Sequence, residues 1–252
     1  MSASTKFSFR KVILILFIVA CFCGIVYSVC GIVIWNLHAH DNVVIRDELN
    51  EMINVPKEVQ HQDNQKIDID FASLKNINKD TVAYVKVNNT NIDYVVVQAD
   101  DNSYYLNHNF EEKWNMAGWI FADYRNKLDG ADKNIIIYGH NTRDGSMFGT
   151  LEYILDKNWY ENKDNYEVLF VTENGKYRYR VFSVYSIIPE EYYISTEFAT
   201  ENEFRVFAKT LLDRSVYDFG VSVASNDRIL TLSSCLGNGE KRVVLHAVLL
   251  DD

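Results

Sequence analysis

The stretch Ile229–Cys235 reads ILTLSSC and runs directly into the glycine-rich segment Leu236–Gly239. Apolar and hydroxyl-bearing residues followed by glycine and asparagine are typical of a β-strand that ends in a loop. The stretch therefore predicts a strand that places the thiol of Cys235 at its end.

Similar runs of β-branched and aromatic residues, separated by Asn, Asp and Gly, occur throughout the second part of the chain. They are Val82–Val87, Tyr94–Val97, Ile135–Tyr138, Glu167–Val171, Tyr177–Ile188, Arg228–Leu232 and Val243–Leu250. Seven or eight short strands without regular helical crossovers are typical of a barrel or a sandwich. The predicted fold class is mainly β with added helices.

Two helices are predicted between these strands. Thr200 and Glu203 form a capping box, and an apolar stripe follows them, made of Phe204, Phe207, Leu211 and Leu212. This helix is expected to cover the barrel. Ser146 is expected to cap a short helix that carries Phe148, Leu151 and Leu155.

Near the N-terminus, the segment Val12–Trp35 carries no charge and is long enough to cross the roughly 30 Å hydrocarbon core of a membrane. A secretory signal peptide is the alternative, but its apolar region usually has about 7–15 residues. Basic residues precede the segment and acidic residues follow it, so we expect a cytoplasmic N-terminus and place everything after about residue 37 outside the cell.

The same reasoning predicts the organisation of the chain. Residues 1–11 form a cytoplasmic tail, and residues 12–35 form a transmembrane anchor that contacts membrane lipid. Residues 36–65 hold a juxtamembrane helix with apolar residues on one face of Asp41–Ile53, followed by a polar linker. Residues 66–252 form the compact domain.

Composition and spacing exclude several functions. With 35 acidic and 25 basic residues the chain lacks the basic face that nucleic-acid binding needs. No Cys-x-x-Cys or His-x-x-x-His pair lies outside the apolar segment, so we expect no metal site and no cofactor. Carboxylate-pair hydrolysis stays open, although no acidic pair stands out from the acidic surface.

Cys235 is the one cysteine outside the apolar segment, because Cys21, Cys23 and Cys30 lie inside it. It is therefore the cysteine that is a candidate for a chemical role. An unpaired thiol in an exported domain is incidental, intermolecular or reactive. A reactive thiol needs a base or cation nearby, since its ordinary pKa is about 8.5.

Two residues are candidates for this role. His140 follows the predicted strand Ile135–Tyr138 in a glycine-flanked loop, whereas His108 lacks such a strand and His246 reads as an ordinary packed or surface histidine. Arg242 opens the next strand, and a hairpin would bring it alongside Cys235. A basic residue at a strand edge that prevents edge pairing is the alternative interpretation.

At these residues the chain resembles the sortase family of cysteine transpeptidases. Thr231–Cys235 (TLSSC) resembles the family's cysteine strand, Tyr138–Asn141 (YGHN) its histidine motif, and Arg242 its arginine. Four further stretches resemble class B sortases: Asn91–Tyr94, Tyr104–Phe110, Phe121–Asn126 and Asp144–Gly149. The resemblance covers about residues 70 to 250.

The resemblance implies a closed β-barrel of seven to eight strands with a peptide groove. Cys235 would attack the carbonyl after Thr in a C-terminal sorting signal, His140 would act as acid and base, and Arg242 would hold the substrate or the oxyanion. By position in the matched motifs, the groove would be lined by Ser233, Asn102, Leu106, Tyr193 and Ile194.

The implied partners are secreted proteins with a sorting signal and an amine of a peptidoglycan precursor or cross-bridge. Two other functions stay open. A thiol peptidase would use the same residues and release the acid instead of an amide, and an inactive surface-binding domain would not have a reactive Cys235.

Overall fold

The computed structural model describes residues 9–54, 67–235 and 241–250. Ten strands lie in these ranges. In chain order they are β1 Ile53–Asn54, β2 Asp68–Ile69, β3 Thr81–Val87, β4 Asp93–Val97, β5 Phe121–Ala122, β6 Asn134–His140, β7 Glu167–Thr172, β8 Gly175–Ile187, β9 Ile229–Cys235 and β10 Arg242–Leu249. β1 and β2 pair only with each other.

The other eight strands close into a barrel in the order β10, β8, β7, β3, β4, β5, β6, β9. The predicted closed barrel is therefore confirmed, and the seven predicted strands correspond to β3, β4 and β6 to β10. Their apolar residues form one large buried core inside the barrel. The pairs β4–β5 and β6–β9 are parallel, whereas the other pairs of the barrel are antiparallel.

β5 is the barrel strand that the sequence pattern missed. It has two residues, too few to show the alternation of a strand. Phe121 nevertheless pairs with Val97 of β4 on one side and with Tyr138 of β6 on the other. This short strand closes the barrel next to the end of β6.

The α-helices within the same ranges are α1 Phe9–Glu51, α2 Phe71–Ile77, α3 Lys157–Glu161 and α4 Glu201–Arg214. α4 confirms the predicted capped helix, because the Thr200 Oγ1 accepts from the Glu203 backbone N–H at 3.1 Å. Phe204 and Leu211 of α4 pack with Phe182 of β8 in a second buried cluster. α4 therefore covers the outer face of the barrel at β8.

The prediction that Ser146 caps a short helix is wrong. Its hydroxyl donates to the Asp144 carboxylate at 2.7 Å and lies 3.0 Å from the Thr142 hydroxyl, so it closes a turn. The helix that follows is the 3-10 helix Leu151–Leu155, which begins after Thr150. The Ser146 hydroxyl bonds to the Thr142 hydroxyl and the Asp144 carboxylate within the turn, and these local bonds replace the bond to a helix N-terminus that a cap would make.

α1 is one uninterrupted helix of 43 residues. It contains a stretch that is long and apolar enough to cross a membrane, and that stretch packs against no other part of the described chain. The apolar segment and the predicted juxtamembrane helix thus share a single axis. The predicted polar linker Pro56–Lys66 lies outside the described residues.

Candidate active site

The histidine and cysteine motifs meet because β6 and β9 are parallel neighbours. In their register Tyr138 pairs with Ser233 and His140 pairs with Cys235. Neighbouring strands lie roughly 4.8 Å apart, so the backbones of these two residues are side by side at the same end of the barrel. Residues more than ninety positions apart in the chain are thereby brought together.

Gly139 allows β6 to reach this position. A Cβ atom at residue 139 would lie 2.4 Å from Ile120 Cδ1 and 2.9 Å from Phe148 Cγ. Such distances require the neighbouring atoms to move, so a side chain would push the end of β6 outwards. The glycine of the YGHN motif therefore serves close packing directly beneath His140.

A backbone carbonyl determines which nitrogen of His140 carries a proton. The half-buried imidazole places Nε2 2.8 Å from the carbonyl oxygen of Leu106. A carbonyl can only accept, so Nε2 is the donor and Nδ1 has the free lone pair in the neutral ring. The backbone of Leu106 is thus a structural partner of the candidate base.

Arg242 and Ser233 are joined through a buried tyrosine. Arg242 Nη1 donates to the hydroxyl of Tyr193 at 3.0 Å, and the same hydroxyl lies 3.1 Å from Ser233 Oγ. Val244 pairs with Ser233 in the antiparallel ladder of β10 and β9, which carries Arg242 to the end of β9. The guanidinium therefore lies at the same edge of the barrel as His140.

Tyr193 belongs to the 3-10 helix Tyr192–Ile194, which a buried polar chain holds in place. Tyr192 donates to the Tyr185 hydroxyl at 2.8 Å, and that hydroxyl lies 2.9 Å from His246 Nε2. On the other side of the ring, His246 Nδ1 lies 2.9 Å from Thr231 Oγ1, which donates to Asn134 Oδ1 at 2.7 Å.

The donor and acceptor roles in this series of hydrogen bonds follow from its last member, Thr231. Thr231 has one hydroxyl proton and gives it to Asn134, so His246 donates from Nδ1 and accepts at Nε2 from Tyr185. The Asn134 amide then donates to the carbonyls of Tyr193 and Ser195 at 3.3 and 2.9 Å. The series of hydrogen bonds therefore holds the segment that carries Tyr193 at both of its ends, through Tyr192 and through Asn134.

His246 is completely buried, and this burial lowers its pKa to about 3. The ring is therefore neutral in the folded protein, as the hydrogen-bond directions require. The sequence predicts an ordinary packed or surface histidine at position 246; in the structure His246 is buried in the core, at the centre of the hydrogen-bonded series. The signal that identifies its role is the pairing of His246 with Thr231 in the ladder of β10 and β9.

The buried neutral histidine makes stability depend on pH. In the unfolded chain the pKa returns to about 6.5, so the unfolded state binds the proton first as the pH falls. The free energy of unfolding should then fall by up to about 1.4 kcal/mol per pH unit below pH ~6.5. Urea unfolding of residues 38–252 at several pH values between ~6.5 and ~4.5 measures this slope.

His246→Gln is the matched variant, because it keeps a polar side chain without a group that titrates in this window. We expect a lower stability at neutral pH and a shallower slope than in the wild type. Carboxylates whose pKa is lowered, such as that of Asp123, contribute only at still lower pH. Equal slopes in the two proteins would contradict the assignment.

An ion pair within the class B-like stretch Phe121–Asn126 supports the other side of the site, although the sequence analysis assigned no role to either residue. Arg125 donates to both carboxylate oxygens of Asp123, at 2.8 and 2.7 Å. Burial favours a higher pKa for the Asp123 carboxyl, but hydrogen bonds from Arg125 and Tyr138 hold that pKa below its ordinary value. Arg125 also donates to the Ile194 carbonyl at 3.0 Å.

The predicted groove residues differ in their surroundings. Ser233 and Tyr193 contact each other, and Ile194 follows Tyr193 directly. Asn102 instead binds the Asp123 loop, because its amide donates to Asp123 at 3.0 Å and accepts from the Tyr124 N–H at 3.0 Å. The side chain of Leu106 is half-buried.

In the part of the chain that the structure describes, no group of three or more His, Cys, Asp or Glu residues is arranged to hold a metal ion.

Comparison with known proteins identifies the family of the chain. The family model described as sortase domain matches residues 85–250. Sortase B from Listeria monocytogenes is 41% identical over 168 residues, which cover 66% of this chain and 67% of that protein. A crystal structure of a Bacillus anthracis protein similar to sortase B has a TM-score of 0.73 and 34% identity, covering 84% of this chain and 97% of that one.

A crystal structure of sortase B complexed with triglycine has a TM-score of 0.68 and 36% identity, and covers 72% of this chain and 85% of that chain. The family match contains the positions of His140, Cys235 and Arg242. The chain therefore belongs to the sortase family and is a sortase B-like cysteine transpeptidase.

Proposed function

We propose that this chain is a membrane-anchored transpeptidase that cleaves a C-terminal sorting signal after Thr and transfers the protein to a cell-wall amine. One observation carries the proposal. The parallel register of β6 and β9 puts His140 beside Cys235, at the barrel edge where Arg242 begins β10. A nucleophile, a base and a cation are the groups that acyl transfer through a thioester needs.

In the first half of the reaction, the thiolate of Cys235 attacks the carbonyl carbon of Thr in the sorting signal. Arg242 stabilises the oxyanion that forms on the carbonyl oxygen. His140, protonated on both nitrogens, gives a proton to the leaving amine as the C–N bond breaks. Because Nε2 is bonded to the Leu106 carbonyl, Nδ1 is the nitrogen that transfers the proton.

In the second half, an amine attacks the thioacyl intermediate and His140 Nδ1 takes its proton. The C–S bond breaks, the thiolate of Cys235 returns, and an amide bond to the acceptor forms. The solved sortase B that was crystallised with triglycine supports a small peptide amine as the acceptor. A peptidoglycan precursor or cross-bridge amine belongs to this chemical class.

We assign the substrate peptide to the surface at Ile194 and the guanidinium of Arg242, both half-buried; Ser233 and Tyr193 are completely buried and support this surface from beneath. Asn102 and Leu106 would line the opposite side. The Asn102 amide already donates to Asp123, and the Leu106 backbone carbonyl already accepts from His140. We therefore assign to both residues a role in shaping the groove as well as in contacting the peptide.

α1 supports the proposed anchorage. Residues 12–35 would cross the membrane, with the basic tail in the cytoplasm and the barrel outside. Secreted proteins would then meet the catalytic domain after export.

Mass analysis of products tests the function. Residues 38–252 are incubated with Thr-containing sorting peptides, with and without triglycine or other candidate amines. Cleavage after Thr with transfer to the amine supports the transpeptidase. Release of the free acid at equal rates with and without amine would instead support the thiol peptidase, and no cleavage of any peptide would favour an inactive binding domain.

Tyr193→Phe is expected to reduce kcat/KM about 10-fold. The variant keeps the ring but loses the hydroxyl that bonds Arg242 and Ser233, and a hydrogen bond to a charged group contributes about 1.5–3 kcal/mol. Steady-state kinetics with a fluorogenic sorting peptide measures the effect. Tyr153→Phe, an exposed tyrosine, is the control, and equal rates for both variants would contradict the role of Tyr193.

A further inference from the structure

The loop of residues 107–118, which we call the Trp114 loop, exposes two large apolar side chains. Trp114 is 62% exposed and Met116 is 46% exposed. The loop is braced by its own backbone, because the Asn115 N–H donates to the Asn107 carbonyl at 2.9 Å and the Gly118 N–H to the Asn115 carbonyl at 3.0 Å. The two side chains are therefore held outwards on a hydrogen-bonded support.

The Trp114 loop binds α1 directly after the apolar segment. Asn115 Nδ2 donates to the His38 carbonyl at 2.9 Å, and the Met116 N–H donates to His38 Nδ1 at 3.1 Å. Asn42, which is completely buried, accepts from Asn115 at 2.9 Å and donates to the Gly118 carbonyl at 2.7 Å. These bonds fix the height of the loop along the helix axis.

This height corresponds to the headgroup region of a bilayer. His38 follows Trp35, the last residue of the apolar segment, by three positions, an axial rise of about 4.5 Å. The zone between the hydrocarbon edge and bulk water is about 5–7 Å deep on each side of a membrane. Because α1 has no break between these residues, the Trp114 loop lies within that zone when residues 12–35 span the hydrocarbon.

We propose that Trp114 and Met116 insert into this interfacial zone, so that the catalytic domain contacts the lipid surface at a second point beside its anchor. The inference rests on the proposed membrane anchorage. Tryptophan is enriched at membrane interfaces because its ring is apolar and its N–H is polar. A single helix leaves a domain free to tilt, and a second contact fixes its orientation.

The charges around the loop indicate the lipid that it meets. Lys113 is paired with Glu111 at 2.8 Å, while Glu112 and Asp41 add negative charge nearby. Such a surface has no attraction for anionic lipid. The contact therefore depends on apolar insertion and occurs equally with zwitterionic headgroups.

The contact also locates the active site relative to the membrane. The Trp114 loop follows the 3-10 helix Tyr104–Leu106, and the Leu106 carbonyl is the partner of His140. The side chain of His108 stacks on Tyr104 and meets the edge of Trp114. A lipid contact at Trp114 thus lies one short segment from the candidate base.

Fluorescence quenching by lipids brominated near the headgroup tests the proposal with the full chain in phosphatidylcholine vesicles. The chain has four tryptophans, of which Trp119 and Trp159 are buried in the domain. In a Trp35→Phe background, Trp114 is then the indole that lipid can reach. We expect quenching at least about twofold greater than in the Trp35→Phe/Trp114→Phe chain.

The matched control adds Val206→Trp to the chain that lacks Trp35 and Trp114. Val206 is 58% exposed on α4, which packs on β8, whereas α1 packs on β4 across the barrel. We expect no quenching of this indole. Quenching equal to that of Trp114 would show that the domain lies on lipid without a preferred face, and would overturn the proposal.

Other outcomes are equally distinct. If Trp35 is not quenched, which a comparison of the Trp114→Phe chain with the Trp35→Phe/Trp114→Phe chain shows, the helix does not span the bilayer, and the anchorage fails together with this inference. If Trp35 is quenched and Trp114 is not, the inference alone fails. Quenching of Trp114 that requires anionic lipid would overturn the apolar contact. Cross-linking of two copies of the chain through the Trp114 loop, with Trp114 then shielded from the brominated lipid, would overturn it as well.

Discussion

Replacing Cys235 with Ala is expected to lower kcat/KM for sorting-peptide cleavage by about 10⁴-fold or more, to the limit of detection. Removing a catalytic nucleophile leaves only binding and electrostatic contributions, and losses of this size are typical. The effect is measured by peptide cleavage at matched concentrations of residues 38–252. The thioacyl adduct, visible by mass in the wild type, should be absent in the variant.

The sequence makes this test clean. Cys235 is the only cysteine in residues 38–252, so alkylation of this fragment reports one thiol. We expect alkylation faster than that of a free cysteine at neutral pH, because a neighbouring base favours the thiolate. His140→Asn should slow alkylation at that pH, whereas His108→Asn, on a histidine bonded to the Tyr104 carbonyl, serves as the control.

Two results would contradict the role of Cys235. Cleavage after Thr that persists in Cys235→Ala would assign the chemistry to another residue. Alkylation of the wild type at the rate of free cysteine, unaffected by His140→Asn, would show that the thiol is not activated and would support the inactive binding domain.

Arg242→Gln is expected to lower kcat/KM about 10²- to 10³-fold, the loss found when a preorganised donor to an oxyanion is removed. Arg242→Lys keeps the charge but loses the planar fork that bonds Tyr193 at one nitrogen, so an intermediate loss of roughly 10-fold follows. Steady-state kinetics measures both variants. Because Arg242 is half-buried, the shape of the side chain at this position is expected to affect kcat/KM as well as its charge.

The neighbouring residue provides the control. Lys241 is exposed and carries the same charge one position earlier, so Lys241→Gln should change kcat/KM less than about twofold. A loss in kcat for Arg242→Gln would indicate that the guanidinium acts on the oxyanion, whereas a rise in KM alone would indicate ground-state binding of the peptide. Equal activity of Arg242→Gln and Lys241→Gln would exclude both roles.

These effects are linked through Tyr193. Its hydroxyl joins Arg242 to Ser233, while its backbone is held by Asn134 and, through Tyr192, by the chain that contains His246. A buried polar network in which every member is bonded is rigid. We therefore interpret the chain as the support that keeps the guanidinium at the end of β9.

Local sequence pattern was sufficient to predict several parts of this protein. Runs of β-branched and aromatic residues identified seven of the eight barrel strands, the capping box identified α4, and an uncharged segment identified the stretch able to cross a membrane. The motifs around His140, Cys235 and Arg242 identified the family, because each motif is contiguous in the chain.

Other parts depend on the register between distant strands, and the folded barrel was needed to find them. The pairing of Thr231 with His246 creates a buried polar chain from two residues that look ordinary by themselves. The Asp123–Arg125 pair and the contact of Asn115 with α1 likewise need the loops to be placed first. A side chain's partners across a barrel are set by strand order and shear, which no short window of sequence contains.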